Sequence, residues 1–213
     1  MSKSKLNTRG KILDKALEMF NERGIEYVGL RELASVLDMR VSNISYYFPT
    51  KDDLVYELSL ELGKKNSEVM MAREQLTMKA FFAMLHQVFQ HHVQFRCLLL
   101  SVVHLMRQNR HLAAAYKKTQ NQRNASLKSN LEVLAGAGYL QVEETDMEFL
   151  VSGISLISRF WISEAAVSFR GLRTEEQIRH YLFLIGRLLM PYSTAKGKKD
   201  IRDFTGKLNH IDR

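Results

Sequence analysis

The sequence predicts an all-α protein with an N-terminal three-helix helix-turn-helix domain and a larger C-terminal helical domain. Every segment long enough to judge repeats its apolar residues at three- and four-residue spacing, and no segment shows the alternation typical of a strand. The chain has two prolines, Pro49 and Pro191, and both fall where a helix is expected to end. Its 213 residues, 46% of them hydrophobic, are enough for two cores.

The first predicted helix carries a strong apolar stripe and ends at Gly24. The stripe consists of Ile12, Leu13, Ala16, Leu17 and Phe20. Five Lys and Arg stand against one Asp in the first fifteen residues, a local net charge of +4. This basic end is interpreted either as an arm that contacts phosphates or as a solvated tail.

A short helix, a tight turn and a second short helix are predicted over residues 29–48. The first of these helices ends at Leu37, and Asp38 follows at a turn position that tends to need a positive φ, which Asp tolerates better than most residues. This spacing is typical of a helix-turn-helix.

The second of these helices presents a polar and aromatic face once Ile44 and Phe48 point inward. The outward positions are Val41, Ser42, Asn43, Ser45, Tyr46 and Tyr47. Asn side chains read adenine, Ser meets either type of base, Val touches a thymine methyl group, and Tyr hydroxyls bind phosphates. Arg31, on the preceding helix, would reach a guanine edge. A DNA-reading face and a plain solvent-exposed face remain alternatives on these residues alone.

Residues from Thr8 to about Leu58 resemble the DNA-binding domain of the TetR family of bacterial regulators. The resemblance lies in TRGKILDKALEMFNERG, LRELASVLDM, the ISYYF stretch and the following Lys51. It implies a third helix in the major groove, base contacts from Val41, Ser42 and Asn43 with help from Arg31, and phosphate contacts from Ser45, Tyr46, Tyr47 and Lys51. Asp38 replaces the family's usual turn glycine, Gly29-Leu30 its Thr-Thr pair, and Ser45 its usual tyrosine, which puts one phosphate contact in question.

The DNA-binding domain is assigned to residues 1–50 and is followed by a linking helix over 51–73. Thr50 is expected to cap this helix, and Asp52 and Asp53 suit its positive end. Lys51 is unfavourable there, which indicates a side chain that meets an external anion.

The effector-binding and dimerisation domain is assigned to residues 51–192, with helices near 77–94, 96–107 and 110–135 and a final pair near 146–169 and 175–190. Capping boxes at Thr145 and Thr174 are expected to start the final pair. Both helices are apolar on more than one face, which favours a four-helix interface with a second copy over the internal core of a monomer. The basic tail over 193–213 is expected to be mobile.

The segment from Gln75 to Leu131 has eight Lys and Arg, five of the seven histidines and no Asp or Glu. One interpretation is a chamber for an anionic, partly apolar effector between the helices, and the alternative is plain core. The candidate lining residues are Phe81, Met84, Phe89, His104 and Met106. No metal site is expected, because the histidines lack the i, i+4 spacing and carboxylate neighbours of metal ligands.

Composition narrows the function classes further. The formal net charge of the chain is +8, but residues 1–63 hold nine Lys and Arg against ten Asp and Glu, a local net charge of −1. The overall basicity is therefore weak evidence for DNA binding. A single cysteine, Cys97, allows no internal disulfide, and its interpretation as a core residue is favoured over that as a redox sensor. Without a signal-peptide region or a long apolar run, a cytoplasmic protein that does not enter a membrane is expected.

No enzyme signature occurs: the sequence lacks a Gly-rich phosphate loop, a G-x-S-x-G elbow, HExxH and CxxC. No cofactor is expected. The favoured hypothesis is a homodimeric regulator of transcription, most readily a repressor released from double-stranded DNA by a small-molecule effector. The rival hypothesis is a helical sensing or interaction module without a specific operator.

Overall fold

A computed structural model describes residues 3–206, with side chains from residue 8 onward, and over this part of the chain it is all-helical. The helices are α1 Lys3–Arg23, α2 Leu30–Val36, α3 Val41–Tyr47, α4 Lys51–Met70, α5 Met78–Gln94, α6 Arg96–Leu100, α7 Val102–Gln108, α8 Arg110–Gly136, α9 Glu144–Ser168, α10 Thr174–Leu189 and α11 Ala195–Gly206. Short 3-10 turns occupy Ile25–Tyr27 and Met190–Tyr192. The predicted all-α fold is confirmed.

The chain forms two compact units. We call the first the head unit, which holds the residues up to Lys64 together with Gln94–Tyr116. The second, the body unit, holds Lys65–Val93 and the chain from Lys117 onward. Helices α4 and α8 have residues in both units. The units therefore divide the chain differently from the predicted domains, because the first part of α4 and the whole of α6 and α7 pack with the head.

The head unit has a core built from the apolar stripes of α1, α2 and α3. Ile12, Phe20, Leu33, Ile44 and Phe48 are each 1% exposed or less. Helix α1 packs against α2 and α6, and α2 packs against α3. Burial of five large apolar side chains, each contributing about 1.5–3 kcal/mol, holds these short helices together.

Two of the predicted helices differ from the structure by more than two residues or by a break. The linking helix α4 ends at Met70, three residues early. The single helix expected over 96–107 is two helices, α6 and α7, which are separated at Ser101 with ψ near 8°. The Ser101 hydroxyl donates a hydrogen bond to a Glu26 carboxylate oxygen at 3.0 Å, and this contact lies at the break.

Helices α9 and α10 pack against each other, as expected of the final pair. The predicted capping boxes are wrong. Helix α9 starts after Glu143 without a side-chain cap, and α10 starts after Arg173. The Arg173 backbone N–H donates to the Glu176 carboxylate at 2.7 Å, so Glu176 takes the role that had been expected of Gln177.

The mobile tail predicted from residue 193 is wrong for residues 195–206, which form α11. Ile201 is fully buried, and the Phe204 ring stacks on Phe82 with 4.5 Å between centroids. Gly197 packs so closely that a Cβ there would lie 2.1 Å from the Tyr139 carbonyl oxygen. Apolar contacts and one close backbone approach thus fix a segment whose lysines suggested a solvated tail. The end of the predicted tail, 207–213, lies outside the described residues.

Helix α9 is apolar enough and long enough to cross a membrane by length and composition alone, with a mean hydropathy of 1.3 in its best window. Only 28% of that window is buried inside the protein. Phe149 and Leu156 are 52% and 58% exposed, and Leu184 on the neighbouring α10 is 37% exposed. An apolar surface of this kind marks an interaction face.

Candidate nucleic-acid interface

The turn between α2 and α3 adopts the conformation that its sequence predicts. Asp38 has φ 51°, the one positive φ at a non-glycine residue in the described part of the chain. The Met39 backbone N–H donates to the Ala34 carbonyl at 2.9 Å, and the Asp38 N–H donates to the Ser35 carbonyl at 3.2 Å. These bonds close the end of α2 and set the direction of α3.

Helix α3 has an inner and an outer face. Ile44 and the following Phe48 are buried, and no acidic side chain lies on the helix. Three of the predicted base-reading residues lie together and exposed at its N-terminal turn: Val41, Ser42 and Asn43. A surface of this kind offers an amide, a hydroxyl and a methyl contact to base edges without repelling phosphates.

The remaining predicted contacts lie along the same helix and beside it. Tyr46 is 68% exposed, while Ser45 and Tyr47 are half-buried. The rings of Tyr46 and Tyr47 meet edge to face with 5.0 Å between centroids, which limits their rotation. Arg31 on α2 is exposed. The sites that the sequence predicted on α2 and α3 are all at least partly accessible.

Lys51 has an intramolecular role that the sequence did not indicate. Its ammonium group donates to the carbonyl of Ile25 at 2.8 Å and to that of Glu26 at 3.3 Å. An ammonium group has three N–H donors, so one is left for an external acceptor. The phosphate contact expected of Lys51 stays a prediction. The two carbonyl contacts also explain why a cation lies at the start of this helix.

Thr50 caps α4 as expected. The Asp53 backbone N–H donates to the Thr50 hydroxyl oxygen at 3.2 Å, and the Thr50 backbone N–H donates to the Asp53 carboxylate at 2.8 Å. This reciprocal box fixes the start of α4 directly after α3.

Three cations of the head unit, all on α1, are paired with carboxylates within the protein. The Arg9 guanidinium lies 2.7 Å from the Glu57 carboxylate, Lys15 lies 2.7 Å from Glu18, and Arg23 pairs with Glu32. By contrast, Lys11, Arg31 and Arg40 have no ion pair or side-chain hydrogen bond within the described residues. The helix-turn-helix over residues 29–48 thus has two unpaired arginines, Arg31 and Arg40, against Glu32 and Asp38, and its net charge is zero.

The five predicted effector-lining residues fall in two different units. Phe81, Met84 and Phe89 lie on α5 in the body unit and are at most 4% exposed. His104 and Met106 lie on α7 in the head unit, where His104 is exposed. His104 lines an open groove of about 560 Å³ with Leu100, Val103, Arg107 and Gln108. The structure therefore places three of the five predicted lining residues in the body unit and two in the head unit.

The body unit contains a buried polar cluster that was not predicted from the sequence. His92 is 8% exposed, and its Nδ1 lies 3.1 Å from the indole nitrogen of Trp161 on α9. Its Nε2 lies 3.2 Å from the side-chain amide of Asn66 on α4. That amide also lies 3.0 Å from Nδ1 of His91. Burial, with a further contribution from Arg123, lowers the pKa of His92 to about 3 and keeps it neutral.

Two buried polar atoms of the body unit have no hydrogen-bond partner among the residues that the structure describes. They are the Tyr181 hydroxyl and the side-chain oxygen of Asn130, whose residues are 4% and 0% exposed. The Tyr181 ring lies 5.5 Å from the Trp161 ring. Native proteins seldom leave such groups without a hydrogen bond, so these two atoms could bind a small molecule or water.

Cys97 lies in the core of the head unit, in line with the interpretation as a core residue. It is 2% exposed, and its backbone N–H donates to the Asn21 side-chain oxygen at 3.1 Å. Burial raises the pKa of the thiol to about 12, so little thiolate forms at neutral pH. Among the described residues, no three His, Cys, Asp or Glu side chains are grouped so that they could hold a metal ion.

Two family models match the chain. The model of bacterial regulatory proteins of the tetR family matches residues 12–58, which include α2 and α3. The model of the TetR bacterial transcriptional repressor matches residues 65–201, more than half of the chain.

Individual proteins agree with these matches. A probable HTH-type transcriptional regulator from Bacillus subtilis, YttP, is 31% identical over 93 residues, which are 39% of this chain and 45% of that protein, less than half its length. The crystal structure of a TetR-family regulator from Marinobacter aquaeolei VT8 superposes with a TM-score of 0.88 at 22% identity, covering 98% of this chain and 99% of that one. A tetR-family protein from Rhodococcus RHA1 gives a TM-score of 0.67 at 18% identity, covering 89% and 98%.

Proposed function

The chain belongs to the TetR family and is a DNA-binding transcriptional regulator, and from this premise we propose that it is a cytoplasmic homodimeric repressor released from its operator by a small molecule. The observation that carries the proposal is the exposed trio Val41, Ser42 and Asn43 at the start of α3. In this proposal the trio reads base edges, while Arg31 assists and Ser45, Tyr46, Tyr47 and Lys51 hold phosphates. No catalytic step or cofactor is part of it.

Dimerisation through α9 and α10 is the second part of the proposal. The apolar side chains that these helices leave exposed, Phe149, Leu156 and Leu184, support a four-helix interface with a second copy. Two recognition helices about 34–36 Å apart then fit successive major grooves of a near-palindromic site. A dimer thus requires an inverted-repeat operator.

The effector part of the proposal assigns the small-molecule site to the body unit. Its buried aromatic side chains, including Phe81 and Phe89, and the unpartnered Tyr181 hydroxyl favour a partly apolar ligand with a hydrogen-bonding group. A ligand that binds better when α4 is displaced would shift the population away from the DNA-binding form. Effector and operator must then weaken each other's binding by the same factor.

Selection of bound sequences from a random duplex library tests DNA recognition. We expect an inverted repeat whose half-sites lie about one helical turn apart. The matched control is the double variant Ser42→Ala with Asn43→Ala, because both side chains are exposed and their loss leaves the core intact. Recovery of nothing above background from the unmodified protein would favour the rival hypothesis of a module without an operator.

Trp161 is the only tryptophan of the chain, so its fluorescence reports on the interior of the body unit. Candidate effectors are first screened for a change in this emission and then titrated with and without the selected operator. A true effector binds less tightly to the operator complex, by the same factor by which it lowers operator affinity. A compound that lowers operator affinity but binds equally well in both titrations contradicts the proposed coupling.

A further inference from the structure

The first 63 residues of this chain, which include the helix-turn-helix, have no net positive charge for binding DNA. Residues 1–63 carry a net charge of −1, with nine Lys and Arg against ten Asp and Glu. Several of these cations are already paired with carboxylates, as Arg9, Lys15 and Arg23 are. DNA affinity depends strongly on cations that neutralise phosphates and release counterions. Further cations close to these residues would therefore strengthen DNA binding.

The second segment of the head unit, Gln94–Tyr116, supplies such cations. It contributes three arginines and no acidic residue, so the head unit as a whole has thirteen Lys and Arg against ten Asp and Glu, a net charge of +3. Arg96 is engaged, because its guanidinium donates to the Asn21 carbonyl at 3.0 Å. Arg107 and Arg110 are exposed, and within the described part of the chain neither has an ion pair or a side-chain hydrogen bond.

Two hydrogen bonds tie the segment that carries these arginines to the start of α4 and to Glu26. The Asn109 side-chain amide, between α7 and α8, donates to the Asp52 carboxylate at 3.1 Å. At the other end of α7, the Ser101 hydroxyl donates to the Glu26 carboxylate at 3.0 Å. Glu26 also accepts a hydrogen bond from Lys51 through its backbone carbonyl. Both ends of α7 are therefore tied to the corner of the head unit where Lys51 lies.

This corner needs additional cations if a phosphate group is to approach it. Asp52 and Asp53 lie in the first turn of α4 and repel a phosphate. Lys51 has two of its three N–H donors occupied by backbone carbonyls. Arg107, two residues before Asn109, and Arg110, directly after it, are the free cations nearest in sequence to this contact. An arginine guanidinium also matches phosphate geometry in a bidentate manner.

We propose that Arg107 and Arg110 form a second phosphate-binding patch, which contacts the DNA backbone beside Lys51. The patch extends the DNA contact of each protomer beyond the helix-turn-helix to α7 and α8. It contributes affinity and not base specificity, because phosphate contacts carry no sequence information directly. The proposal rests on DNA binding by the head unit.

The salt dependence of DNA binding tests this patch directly. Affinity for the selected operator and for an unrelated duplex of equal length is measured over a series of salt concentrations for Arg107→Gln, Arg110→Gln and the double variant. Each lost phosphate contact lowers the slope of log affinity against log salt by about 0.9. A dimer loses two contacts per substitution, so we expect the slope to fall by about 1.8 for each single variant and about 3.6 for the double variant.

Two control variants keep the result interpretable. Arg202→Gln removes an exposed arginine from α11 in the body unit and should leave the slope unchanged. Arg110→Lys keeps the charge and should retain most of the slope. Circular dichroism confirms that each variant is folded.

An unchanged slope in Arg107→Gln and Arg110→Gln, with the operator still recognised by the unmodified protein, overturns the patch while the proposed function stands. A loss confined to the operator also overturns it, because it points to a base contact. A fall in slope on the unrelated duplex supports the patch even if selection yields no operator. Failure of the patch and failure of operator recognition are therefore distinguishable.

Discussion

The indole N–H of Trp161 donates a hydrogen bond to Nδ1 of His92 across 3.1 Å in the interior of the body unit. Because an indole is a donor only, Nδ1 must be unprotonated, and the neutral ring therefore carries its hydrogen on Nε2. The Asn66 amide nitrogen, 3.2 Å from Nε2, has no lone pair to accept that hydrogen. A half-turn of the amide, which exchanges its oxygen and nitrogen, satisfies both Nε2 and Nδ1 of His91.

These hydrogen bonds then run in one direction, from Trp161 on α9 through His92 on α5 to Asn66 near the end of α4. Protonation of His92 would place a second N–H opposite the indole N–H and break the first bond. The cluster therefore joins three helices only while His92 is neutral, and α4 is the helix that leads to the recognition helix. This makes the cluster sensitive to pH.

The first prediction concerns stability against pH. The pKa of His92 is about 3 in the folded protein and near the ordinary histidine value of 6.5 in the unfolded chain. The unfolded state therefore binds more protons between these values, so this contribution to stability is complete above pH 6.5 and is lost as the pH falls towards 3. From pH 7 to pH 5, we expect the free energy of unfolding to decrease by about 2 kcal/mol through His92 alone.

Urea unfolding of the native protein and of His92→Gln over this pH range measures that contribution. Glutamine can accept from Trp161 and donate to Asn66 but does not titrate, so its curve should be flatter by about that amount. His111→Gln, at an exposed position on α8, should keep the steeper native curve. Equal slopes for the native protein and His92→Gln would contradict a buried neutral His92.

The second prediction concerns the turn at Asp38. Its φ of 51° lies in the left-handed region, where a Cβ without a local polar contact costs roughly 1–2 kcal/mol. We expect Asp38→Ala to lower the free energy of unfolding by about 1 kcal/mol, whereas Asp38→Gly should leave it within about 0.5 kcal/mol. Urea unfolding followed by circular dichroism compares them. A glycine variant as unstable as the alanine variant would show that the backbone at this turn is not strained.

The helix-turn-helix was the part of the fold that the sequence predicted best. The positive φ of Asp38 and the burial of Ile44 and Phe48 follow from short-range rules: turn geometry and the helical period. The same rules predicted which side chains of α3 face outward. Local spacing is enough there because each helix has only one buried stripe.

Features that depend on contacts between residues far apart in the sequence were not predicted. The Asn66 amide and Trp161 lie 26 and 69 residues from His92, and no spacing rule relates them. Helix α11 was missed because its lysines suggested a solvated tail, while Ile201 is buried by packing that no local pattern shows. The carbonyl partners of Lys51 lie 25 and 26 residues away, so its charge at the start of α4 gave no sign of these hydrogen bonds.

The third prediction concerns the proposed dimer. Leu156 on α9 is 58% exposed, so Leu156→Glu has little effect on the fold of one protomer but places a charge in the proposed four-helix interface. We expect the variant to sediment as a monomer at concentrations where the native protein is a dimer. Val103→Glu on α7 is the matched control, because Val103 is also 58% exposed. A dimeric Leu156→Glu protein would place the interface elsewhere.

The fourth prediction concerns the central claim that the exposed start of α3 reads bases. Asn43→Ala removes an exposed amide without disturbing the buried Ile44. The affinities of the native protein and of this variant are measured for the selected operator and for every single-base change in one half-site. We expect the variant to lose about 1–3 kcal/mol of discrimination at one base pair and to keep it at the others. Unaltered preference at every base pair, or equal weakening on all sequences, would contradict base reading by Asn43.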